Sequence, residues 1–123
     1  MRTMGTGFRL ETAAGVVVAG HVEVAGSVLS RFRGLMFRGH LPDGHGLALR
    51  PCSSIHMFFM RFPLDVVFVD GDGVVVHLYH GLKPWRMSRI VRRAKAAIEL
   101  PKGTLERAGV QVGDVVRLVS DTP

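Results

Sequence analysis

The densest alternation of apolar and polar positions lies in residues 55–70, Ile-His-Met-Phe-Phe-Met-Arg-Phe-Pro-Leu-Asp-Val-Val-Phe-Val-Asp. Large apolar side chains dominate it, yet His56, Arg61 and Asp65 are threaded through. A folded chain seldom leaves such a segment in water, so these polar groups must be hydrogen-bonded inside or line a pocket. Val66 and Phe68 point one way and Val67 and Val69 the other, which predicts a strand covered on both faces, at the centre of a sheet. Asp70-Gly71-Asp72-Gly73 then predicts a hairpin turn into a second strand over residues 74–79.

Elsewhere the apolar residues are mostly valine, which favours strands. Residues 8–12, 15–19 and 21–25 read as strands, with Gly20 as a break between the last two. Residues 46–49, 96–100 and 115–119 read as further short strands, and 104–108 as one helical turn between Gly103 and Gly109. Ser27 is placed to cap a helix over residues 28–38, with Phe32, Leu35 and Met36 as its apolar stripe and Gly39 as its stop. Residues 83–95 carry Pro84 and scattered cations, which predicts an irregular crossing segment or a short helix. These elements predict a mainly β (α+β) fold: a small antiparallel β-barrel or sandwich with one main helix near residues 28–38.

Length and composition narrow the picture. A chain of 123 residues makes a single domain, 1–123, able to bury roughly 65% of its unfolded surface without metals or disulfides. Cys52 is alone, so it forms no internal disulfide. No apolar leader is visible and no apolar run approaches the ~20 residues that span a bilayer. The expectation is a cytoplasmic protein without a membrane segment.

Charge is uneven. The net charge is +6, yet residues 74–97 contain no acid and six cations: Lys83, Arg86, Arg89, Arg92, Arg93 and Lys95. Elsewhere acids and basic residues balance, so the whole excess belongs to one basic patch. With Trp85 beside it, the segment suits nucleic acid or an acidic partner. The plainer reading is a solvated edge whose cations discourage sheet-to-sheet association.

Three chemistries bear on the central segment. Arg61 and Asp65, four residues apart across Pro63, predict an internal ion pair, or an arginine that meets an anion while Asp65 orients it. His56 and Asp65 supply the residue types of an acid/base pair. Cys52, His56, His77 and His80 match no tight metal-ligand spacing, and His77 and His80 face opposite sides of a strand, so no metal is expected. No phosphate loop, dinucleotide fingerprint or serine elbow occurs, and no cofactor is expected.

Arg33-Gly34-Leu35-Met36 with Arg38, the block from Ile55 to Phe68, Pro84, Ala97-Ile98-Glu99-Leu100-Pro101 and Gly113-Asp114 occur in an order and spacing that resemble domain-of-unknown-function family 192. The likeness runs from about Arg9 to the C-terminus. Many relatives carry Trp-Met-Lys where this chain has Phe59-Met60-Arg61, and a Gly-Met-Leu-Phe-like piece where it has Gly46-Leu47-Ala48-Leu49. The resemblance implies a compact, mostly β domain without transmembrane helices and no established activity. It makes Arg33, His56, Arg61 and Asp65 the natural members of a shared polar cluster. The expected function is a binding module for a small anionic molecule or peptide end beside residues 55–65. An enzyme using His56 and Asp65, and a nucleic-acid or acidic-partner surface at 83–95, are the alternatives.

Overall fold

The computed structural model describes residues 4–25, 40–58 and 60–121. The helix expected over 28–38, and with it Arg33, lies outside them. Among the described residues seven strands form one mixed sheet in the order β5-β4-β6-β3-β2-β1-β7. The strands are β1 (Met4–Thr12), β2 (Val17–Ala25), β3 (His45–Leu49), β4 (Leu64–Val69), β5 (Val75–Leu82), β6 (Ala96–Pro101) and β7 (Val116–Ser120), with helix α1 (Thr104–Ala108) between the last two.

The expected break at Gly20 does not occur. β2 is one strand, and the reversal from β1 lies at Gly15 (φ +90°), whose N–H donates to the Thr12 carbonyl at 2.9 Å. Phe8 pairs with Val22 and Leu10 with Ala19, so β2 carries an extra residue there, and Gly20 falls inside that bulge. A glycine that looks like a terminator thus relieves a register shift.

β3 runs parallel to β2, from His21↔His45 to Ala25↔Leu49, while every other pairing among the described strands is antiparallel. Apolar alternation does not encode strand direction, so it carries no sign of the one parallel pair. The mainly β reading holds, but the sheet is not closed into a barrel. Its two edges are instead pinned at one corner. Val74 and Val115 form an isolated bridge, Val116 N–H donates to the Gly73 carbonyl at 2.9 Å, and Val75 N–H to the Asp114 carbonyl at 2.8 Å.

β4 is central, as the alternation predicts, and all six of its residues are buried. Leu64, Val66 and Phe68 face one core with Leu47, Leu49 and Ala97, roofed by Ile55, Met57, Met60 and Val91. Val67 and Val69 face a second core with Leu10, Ile98, Leu100 and Leu105. Each such large side chain contributes roughly 1.5–3 kcal/mol on burial, so both faces hold β4 in place. Among the described residues no helix is long and apolar enough to cross a membrane.

Candidate functional site

Residues 53–58 and 85–91, separate candidates in the sequence, are joined by hydrogen bonds into one irregular ribbon. Val91 N–H donates to the Ser53 carbonyl (2.8 Å), Ser88 N–H to the Ile55 carbonyl (2.7 Å) and Met57 N–H to the Arg86 carbonyl (2.7 Å). His56 and Met87 form an antiparallel bridge between these bonds. Ser88, itself buried, accepts from Ile55 N–H at 2.8 Å and donates to the Arg89 carbonyl at 2.8 Å. Residues 83–95 are therefore the irregular crossing that the sequence suggests, with a defined backbone.

The ribbon has two sides. Ile55, Met57 and Val91 turn inward onto the first core. Outward stand Trp85, Met87 and Ile90, exposed by 59%, 63% and 68%, with Phe58 at 36%. Trp85 has a left-handed backbone (φ +64°), and its N–H donates to the Met57 carbonyl at 2.7 Å. That conformation costs a non-glycine residue about 1–2 kcal/mol, and strain of this kind tends to collect at functional positions. The rings of His56 and Phe58 lie 5.0 Å apart, and those of Phe58 and Trp85 6.1 Å.

All six cations of the basic patch are exposed. Tyr79 on β5 accepts a hydrogen bond from Arg89 N–H at 2.9 Å, tying the ribbon to the sheet edge. A recess lies on either side of this bond. One, of about 210 Å³, is lined by Val76, His77, Arg89, Ile90, Arg92 and Arg93. The other, of about 400 Å³, is lined by Tyr79, His80, Leu82, Lys83, Arg86 and Met87. Burial, and then the charge of Arg89, hold His77 below its ordinary value. Its ring stands edge-on to Tyr79 at 4.9 Å. Lys95 leaves this group and lines a different recess with Arg50 and Arg117.

Asp65 belongs elsewhere. Its side chain is fully buried, with one carboxylate oxygen accepting from Gly81 N–H at 2.8 Å and the other from Gly103 and Leu105 N–H at 3.0 Å each. Gly103 at the start of α1 has no side-chain cap of its own, so a carboxylate from β4 does the capping. The ion pair expected between Arg61 and Asp65 is absent among the described residues, where Arg61 is exposed. Three amide donors satisfy a buried carboxylate as a cation would, and backbone amides leave no mark in side-chain spacing.

His56 and Asp65 likewise do not meet. The layer containing His56 covers the first core, whereas Asp65 faces Leu105 in the second. Glu99, not among the candidates from the sequence, is fully buried at the middle of β6 between Leu47 and Val66. By strand alternation it shares its face with Ala97, beneath the ribbon. An acid inside Ala-Ala-Ile-Glu-Leu was the available signal. Cys52 is partly buried and donates to the Ser54 carbonyl at 3.1 Å. Among the described residues no group of three or more His, Cys, Asp or Glu side chains is arranged to hold a metal ion.

Against this geometry, the comparisons with known proteins are consistent with one another. The family model DUF192, described as "Uncharacterized ACR", matches residues 9–118. A UPF0127 protein of Pyrococcus furiosus is 38% identical over 112 residues, 85% of this chain and 92% of its own length. Two crystal structures share the fold. One, from Sinorhizobium meliloti and described as a proposed transcription regulator, has a TM-score of 0.76 at 27% identity, covering 96% of this chain and 97% of that one. The other, a protein of unknown function from Novosphingobium aromaticivorans, has a TM-score of 0.75 at 25% identity, covering 93% and 84%.

Proposed function

This chain belongs to domain-of-unknown-function family 192, and from that premise we propose that it is a cytoplasmic binding module for an acidic peptide segment, taken up on the ribbon beside β5. One observation carries the reading: Trp85, Met87 and Ile90 stand exposed among Lys83, Arg86 and Arg89 on a backbone hydrogen-bonded into place. Aromatic side chains, methionine and arginine are the types enriched where proteins bind one another, and a rigid ribbon loses little entropy on binding. The cations select carboxylates and speed encounter, while Trp85 and Met87 supply apolar contact. The two recesses flanking the Tyr79–Arg89 bond give carboxylates or a peptide end somewhere to sit. The lone Cys52 fits a reducing compartment.

The acid/base reading draws no comparable support, since His56 and Asp65 occupy opposite faces and Asp65 is filled by amides. Trp85 is the sole tryptophan, so its emission reports on the ribbon directly. Titration with a peptide of alternating glutamate and phenylalanine is expected to give a saturable change that weakens as salt is raised. An equal response to the lysine-for-glutamate peptide, no response, or tighter binding of single-stranded DNA would each overturn the reading.

A further inference from the structure

A third recess, of about 360 Å³, lies away from the ribbon, between the β4–β5 turn and β7. That volume is within the roughly 300–1,000 Å³ usual for small-molecule clefts. Its floor is formed by Leu10, Ile98 and Val116 of the second core. Its rim carries charges of both signs: Arg50, Lys95 and Arg117 from three separate parts of the chain, and Asp70 and Asp72 from the turn. No ion pair among the described residues joins these five.

The two acids are not equivalent. One oxygen of Asp70 accepts from Asp72 N–H at 2.9 Å and Val74 N–H at 3.0 Å, so that oxygen is engaged in shaping the turn. The side chain of Asp72 makes no such bond and is exposed at the rim. Gly73 fixes the other end of the turn: at φ +82° a Cβ there would run into the Val116 carbonyl oxygen. The turn bearing Asp72 is thus held against β7, the strand that bears Arg117.

We propose that this recess binds an apolar α-amino acid. Its carboxylate meets Arg50, Lys95 and Arg117, its ammonium meets Asp72, and its side chain lies on the floor of Leu10, Ile98 and Val116. A simple anion would leave the acid on the rim opposing it, and a simple cation would face three positive charges. A zwitterion with an apolar body complements both signs and the floor together. The site is independent of the ribbon, on the opposite face of the sheet.

Methyl-resolved NMR of the intact protein tests it with three probes of one shape. L-phenylalanine is expected to shift the methyls of Leu10, Ile98 and Val116 saturably. 3-Phenylpropionate, lacking the ammonium, and 2-phenylethylamine, lacking the carboxylate, should each bind about tenfold more weakly, the factor that one lost charge-assisted contact carries. Arg117→Gln should weaken phenylalanine and phenylpropionate but not the amine. Asp72→Asn should weaken phenylalanine and the amine but not phenylpropionate. Both substitutions are at exposed positions, so the fold should be retained. Absent methyl shifts, an analogue that matches phenylalanine, or variants that affect all three probes alike would overturn the assignment.

Discussion

At Asp65 a carboxylate without solvent contact receives three backbone N–H groups and links β4, β5 and the start of α1. At Arg86 and Arg89 the charges stand in water beside Trp85 and Met87, while the backbone beneath them is bonded to residues 53–58 and β5. Both regions set charge among large apolar side chains. The difference lies in what is left over. The carboxylate that ties the fold together accepts three N–H groups out of water, whereas the side chains of Arg86 and Arg89 stand exposed to a partner.

The largest effect expected from this contrast is on stability. Asp65→Ala leaves three amide donors buried without an acceptor and should destabilise the fold by about 3–5 kcal/mol, read from urea denaturation. A loss below about 1 kcal/mol would mean that the amides find other partners and that Asp65 is not the tie. Next comes Trp85→Gly, which relieves the left-handed backbone while removing the exposed ring. Stability should change by less than about 1 kcal/mol, while affinity for the acidic peptide falls roughly thirtyfold, the weight of an interface anchor. Unchanged affinity would remove Trp85 from the binding surface.

Arg86→Gln with Arg89→Gln sharpens the electrostatic half of the comparison. Affinity should drop about tenfold at low salt, and its salt dependence should flatten. A variant as salt-sensitive as the parent would place the attraction elsewhere.

The smallest expected effect is at His77, whose affinity for a proton is lowered first by burial and then by Arg89. Its proton binds more tightly in the unfolded chain. The stability gained by keeping it neutral is therefore complete above the ordinary value of 6.5 and declines as pH falls below it. His77→Gln should remove that part of the slope in denaturation measured across pH. A slope that survives in the variant assigns it to another group.

Much of this was legible in the chain. Alternation at Val66, Val67, Phe68 and Val69 revealed β4 as central, and Asp70-Gly71-Asp72-Gly73 revealed the β4–β5 turn, because both depend on local geometry. The parallel pairing of β2 with β3 and the continuity of β2 through Gly20 were not visible, since direction and bulges are set by partners far along the chain. For the candidate site, the six cations and the aromatic block each stood out, but nothing local indicated that the two segments are stitched together. Asp65 misled for a related reason: its partners are backbone amides of Gly81, Gly103 and Leu105, which no side-chain pattern announces. Arg33 lies outside the described residues.

The most direct test of the contrast between a filled carboxylate and an open ribbon is an amide NMR titration with the glutamate–phenylalanine peptide. The account predicts shifts confined to residues 53–58 and 77–93, with the amides of Gly103 and Leu105 unmoved. Shifts centred on Gly103 and Leu105, with the ribbon silent, would contradict it.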